Sequence, residues 1–173
     1  MDPISDFLAS WKVPIGRWGK TFIDFIVDHF EWLFDAIKLT LNVVVGEVTA
    51  ALLMVPPVLL ALLVAALAWW MQRSWKLALG VFIGLALIIN LGLWKETVQT
   101  LVIVVFATAI SMSIGVPIGI WAAHKPRIWA FTQPTLDLMQ TMPTFVYLIP
   151  ILILFGLGAA PALIVTIIFA MPA

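Results

Sequence analysis

From residue 48 onward the chain alternates long apolar runs with very short polar breaks. The runs are Val48–Met71, Leu77–Trp94, Thr97–Trp121 and Pro134–Gly156, and a last one starts at Ala159. Each of the first four reaches the roughly 18 residues that mark a membrane span. The breaks are "QRSWK" (72–76), "KE" (95–96), "HKPRIW" (124–129) and "GLGAAP" (156–161). This pattern predicts an all-α polytopic membrane protein with about five transmembrane helices, the last incomplete. From Ala159 to Ala173 a helix reaches about 22 Å at 1.5 Å per residue, short of a hydrocarbon core roughly 30 Å thick. A carboxylate left in hydrocarbon is costly, so the expectation is a C-terminally truncated fragment.

The first 47 residues read differently. Residues 1–20 mix Pro3, Pro14, Gly16 and Gly19 with charges and are expected to be an irregular N-terminal tail. Over 21–47, Asp24, Asp28, Glu31, Asp35, Lys38 and Asn42 recur at steps of four and three. That spacing puts them on one face of a helix, with Phe22, Ile26, Phe30, Leu33, Ile37 and Leu41 on the other. An amphipathic interfacial helix is expected. Its polar face is acidic, so attraction to anionic lipid is not what holds it, and packing on the protein's own spans is the alternative. Pro56 and Pro57 should kink the first span, because they remove two backbone donors.

Composition strengthens the membrane reading. Residues are 64% hydrophobic and 10% charged, against about 25% charged in soluble domains. Zero formal net charge leaves no nucleic-acid footprint. The chain has no cysteine, which excludes disulfides and thiol chemistry. His29 and His124 are far apart in sequence, and no metal site is expected. No nucleophile–base constellation appears, so an enzyme is not expected. Lys and Arg near span ends set orientation. The breaks at 72–76 and 122–129 hold two each, whereas 95–96 holds one and 156–160 none. This places the N-terminus outside the cytoplasm. Trp69, Trp70, Trp75, Trp94, Trp121 and Trp129 fall at span ends, as an interfacial belt requires.

Two polar patterns lie inside the spans. Ser111, Gly115 and Gly119 recur every fourth position, which lets another helix approach closely. They are read as a helix-packing seam, either near a translocation path or in ordinary packing. In "LDLMQTMPTFVYLIP" (136–150), Thr132 is a candidate N-cap, Pro134 an early helical position and Asp137 a first-turn anion. Gln140, Thr141, Thr144 and Tyr147 would follow on the same side of one helix. Polar groups in a span face a bundle interior or an aqueous cavity, so these four are candidates for a substrate path or for ties between helices. Pro143 and Pro150 each free a carbonyl four residues earlier, at Met139 and Val146, which then needs a partner.

The segments "TVQTLVIVVFATAISMSIGVPIGIWAAHKPR", "PTLDLMQTMPTFVYLIPILILFGLG" and "APALIVTIIFAMPA" resemble the permease subunit of ABC importers, and among these the glycine betaine, proline betaine and choline permeases. The resemblance covers essentially the whole chain and is most specific over the last eighty residues or so. It implies a MetI-like ABC permease fold. The chain then reads as a tail (1–20), an amphipathic interfacial helix (21–47), a two-span N-terminal hairpin (48–94) and a partial permease core (95–173). It further implies a second permease copy, two ATPase subunits that carry ATP and magnesium, and an extracellular or periplasmic binding protein. No cofactor is implied on this chain. The setting would be the bacterial cytoplasmic (inner) membrane, with lipid around the spans and a quaternary ammonium compatible solute as cargo. Permeases of the family carry a cytoplasmic coupling loop, the EAA motif, soon after the segment matching "FAMPA". This sequence stops at Ala173, so the resemblance implies a fragment without that loop. Two other classes stay open: a channel or secondary transporter without ATPase partners, and a structural membrane subunit.

Overall fold

A computed structural model describes residues 15–172, without the side chains of Ile15, Arg17 and Phe22. Most of the expected tail, and Ala173, lie outside the described residues. Seven α-helices follow in order: α1 (Ile15–Leu53), α2 (Pro57–Gln72), α3 (Trp75–Asn90), α4 (Trp94–His124), α5 (Pro126–Thr141), α6 (Thr144–Phe155) and α7 (Ala159–Ala170). The all-α polytopic membrane architecture predicted from the pattern is the one adopted. The chain divides into two compact units, Met1–Ala36 and Ile37–Ala173.

In the first unit, residues 15–36 belong to α1. Asp24, Asp28, Glu31 and Asp35 are exposed, while Ile23, Ile26, Val27 and Phe34 are half-buried. The His29 and Phe25 rings stack one helical turn apart, with centroids 4.1 Å apart.

In the second unit the core forms where three helices meet. Val45 of α1, Val102 and Ala107 of α4 and Leu163 of α7 are buried together, with Leu41, Leu52, Ile103, Phe106 and Ile167 packed around them. α2 and α3 form a hairpin. Ala61 and Ala65 are its buried positions, and small side chains there allow close helix approach. Arg73, at φ 52°, closes α2 in the left-handed region, and Ser74 caps α3 by accepting from the Leu77 N–H at 3.4 Å.

Three boundaries differ from those read in the sequence, each for a proline-related reason. The run 48–71 is two helices and not one kinked helix. Pro56 and Pro57 lack N–H groups, so α1 ends at Leu53 and α2 starts with Pro57 at its first position, where a missing donor costs nothing. The "HKPRIW" loop is reduced to Lys125 alone, because Pro126 likewise opens α5. The run 134–156 is also two helices, bent by 91° at Met142–Pro143. Residue 47, taken as the end of the amphipathic helix, lies in the interior of α1. Two stretches, Trp18–Leu53 and α4, are long and apolar enough to cross a membrane, and the bent pair adds a third if counted as one span. The shorter apolar helices α2, α3 and α7 have 16, 16 and 12 residues, so helical lengths fall short of the apolar runs.

Trp69, Trp70, Trp75, Trp121 and Trp129 are about half exposed or more, as belt residues are. Trp94 differs, since its indole Nε1 is buried without a hydrogen-bond partner.

Candidate functional site

The small-residue face of α4 meets α7. The Ser111 hydroxyl donates to the Ile167 carbonyl at 3.2 Å, and Ser111 itself is buried. One turn on, a Cβ built on Gly115 would lie 3.2 Å from the Met171 carbonyl oxygen. That oxygen is backbone and cannot swing away, so the close approach depends on glycine. Gly119 has nothing within 4 Å. The two helices are in contact at Ser111 and Gly115, close to the end of α7 at Ala170.

Beside this contact lies a cavity of about 720 Å³ between α4, α5 and the end of α7. Ser111, Gly115 and Gly119 line it from α4. Trp129, Thr132, Thr135 and Met139 line it from α5, and Ala170, Met171 and Pro172 line the third side. The size falls within the roughly 300–1,000 Å³ of small-molecule sites. No described lining residue is ionisable. The Thr108 and Thr135 hydroxyls donate to carbonyls of their own helices, Val104 and Phe131, at 2.8 and 3.1 Å. Their oxygens keep acceptor lone pairs. Such a lining can surround a net-neutral solute with apolar, aromatic and hydroxyl groups.

The four residues proposed for a path are placed elsewhere. Gln140 and Thr141 end α5 whereas Thr144 and Tyr147 begin α6, so the 91° bend gives them no common helical face. None of the four lines the cavity. Gln140 donates from Nε2 to the Pro172 carbonyl at 3.0 Å, and Thr141 donates to the Leu138 carbonyl at 3.2 Å. Thr144 is exposed. Tyr147 donates its hydroxyl across the bend to the Met139 carbonyl at 2.9 Å. Met139 is the carbonyl that Pro143 deprives of a donor, so Tyr147 satisfies the group whose need the sequence predicts. Thr132, Pro134 and Asp137 also move from the beginning of a helix to the interior of α5, because the helix starts eight residues earlier than Pro134, at Pro126.

Tyr147→Phe removes that donor and leaves the Met139 carbonyl unpaired. A loss of about 1 kcal/mol is expected, read as a lower denaturation midpoint in mixed micelles with helix content unchanged. An unchanged midpoint would show that water serves that carbonyl equally well.

The cavity residues of α5 escape a reading that starts the helix near Pro134. With the start at Pro126, Trp129, Thr132, Thr135 and Met139 recur at steps of three and four, a recognisable lining stripe.

No protein-family model matches the chain. It is similar to the glycine betaine transport system permease protein OpuAB of Bacillus subtilis, 41% identical over 161 residues, covering 93% of this chain and 57% of the relative. The glycine betaine/proline betaine transport system permease protein ProW of Escherichia coli is 37% identical, with 92% of this chain and 45% of the relative covered. The glycine betaine/carnitine transport permease protein GbuB of Listeria monocytogenes is 37% identical, with 92% and 57% covered. The chain thus spans about half the length of the curated relatives it matches.

Proposed function

We propose, from the premise that the chain belongs with the glycine betaine and proline betaine transport permeases, that it is the membrane-spanning part of an ATP-driven importer of quaternary ammonium compatible solutes. The observation that carries this reading is identity of 37–41% to such permeases over 92–93% of the chain. The permease pairs with a second copy. Two ATPase subunits, which hold ATP and magnesium, dock on the cytoplasmic side, and a binding protein delivers solute from outside. The chain sits in the bacterial cytoplasmic membrane with its N-terminus outside. Glycine betaine, proline betaine and carnitine, the solutes in the relatives' names, are zwitterions with a methylated quaternary nitrogen and no net charge. The uncharged cavity between α4, α5 and α7 suits such a solute. Apolar and aromatic surface accepts the methylated cation, and no lone buried charge biases the site. Thr141 and Tyr147 then act as bend-holders, with Gln140 tying the bend to Pro172, just past α7.

The test is uptake of labelled glycine betaine by a bacterial strain stripped of its own betaine transporters. The permease is supplied with the ATPase and binding-protein genes of its neighbourhood. Uptake that vanishes when the ATPase is omitted supports the reading. Equal uptake with and without the ATPase points to a channel or secondary transporter and refutes it.

A further inference from the structure

The start of α7 has no cap of its own. Gly158 occupies its N-cap position at φ 141° and ψ −166°, with no side chain to offer. The second N–H of the helix, on Ala160, is instead taken by Asn42 of α1, whose Oδ1 accepts it at 3.0 Å across 118 residues of sequence. Ala160 is fully buried at 0% exposure, so water has no route to replace that acceptor. One turn before Asn42, Lys38 brings its Nζ to 3.3 Å from where a Cβ on Gly156 would stand. Lys38 is half-buried. Both residues belong to the polar stripe whose earlier members, Asp24 to Asp35, are exposed.

We propose that Asn42 is the N-cap of α7, supplied by a different helix, and that Asn42 and Lys38 together make this part of α1 a brace fixing where α7 begins. The packing requires it. Buried amides at a helix start need an acceptor, and the glycine turn that reaches α7 provides none. Glycine at 156 leaves room for the Lys38 side chain to lie against the turn. Two further side chains hold α7 and the residues just after it, Ser111 at Ile167 and Gln140 at Pro172. The backbone of 160–172 is therefore held from α1, α4 and α5. Its far end lines the cavity while its near end rests on Asn42. Any movement of α1 away from the turn strands the Ala160 N–H, so the position of α1 and the fixation of α7 are one linked equilibrium.

Hydrogen–deuterium exchange of the full chain in lipid nanodiscs tests this. Asn42→Leu keeps the size and removes the acceptor. Asn42→Asp keeps an acceptor and adds a charge favoured by the positive end of α7 and by Lys38. The leucine variant is expected to speed Ala160 amide exchange by about fivefold to tenfold, with amides of α2 and α3 unchanged. The aspartate variant is expected to stay within about twofold of the parent, since its acceptor remains. If the leucine variant does not fold, Asn42→Ala carries the same expectation. Ala160 exchange that is equal in parent and leucine or alanine variant overturns the proposal. So does an aspartate variant that exchanges as fast as leucine.

Discussion

Leu163→Ala is expected to lower the stability of the helix bundle by about 2 kcal/mol, the lower end of the range for truncating a buried leucine. Leu163 is 1% exposed and touches the point where α1, α4 and α7 converge. In water such a truncation loses both transfer free energy and packing. In a bilayer the separated helices remain in an apolar solvent, so the transfer part is small and the lost van der Waals contacts dominate. The neighbours Val45, Val102 and Ala107 are themselves short or β-branched and cannot reach in to fill the gap. The measurement is reversible unfolding in mixed micelles. A midpoint within about 0.5 kcal/mol of the parent, the scale of an uninvolved surface change, would show that the three helices do not share this core.

Gly158→Ala is expected to cost up to about 3 kcal/mol for a different reason. Its φ of 141° with ψ of −166° lies in a region essentially restricted to glycine. An alanine there must either carry the strain or rotate the backbone, and rotation carries Ala160 off the Asn42 oxygen. Space is not the limit, since the nearest atom to an added Cβ is Asn42 Oδ1 at 3.8 Å. Gly80→Ala is the control. Gly80 is inside α3 with nothing within 4 Å, so alanine should be neutral or stabilising by up to about 1 kcal/mol through helix propensity. If both variants unfold at the parent's midpoint, the Gly158 backbone is not under the constraint described.

The apolar runs and their polar breaks carry most of the fold. Helices α2, α3 and α4 overlap the runs that predict them and overrun them by one to three residues, and α7 lies within its own, because a 12- to 31-residue apolar stretch without prolines in critical places has no competing structure. Proline is where pattern and structure part. Pro56–Pro57, Pro126 and Pro143 each end or begin a helix, whereas Pro117, Pro134 and Pro150 sit inside helices. A single sequence does not distinguish these outcomes, because they depend on whether a neighbour satisfies the freed carbonyl. At Met139 the neighbour is Tyr147, and satisfying that carbonyl outside the helix stabilises a bend where a continuous span was expected. The candidate site was legible in part. The spacing of Ser111, Gly115 and Gly119 marks the α4 wall directly. The α5 wall was hidden by a helix start misplaced by eight residues. The tie from Asn42 was unreadable in kind, since no periodicity links residues 118 positions apart. Its only trace is an amide and a lysine continuing an acidic stripe into an apolar segment.

Reconstitution gives the most direct test of the proposed ATP-driven import. Proteoliposomes containing the permease with its neighbouring ATPase are loaded with ATP and magnesium and given the binding protein and labelled glycine betaine outside. Accumulation above the external concentration that requires internal ATP and stops when the ATPase is inactivated is the expected result. Equilibration to the external concentration and no further, at the same rate with or without ATP, would contradict it.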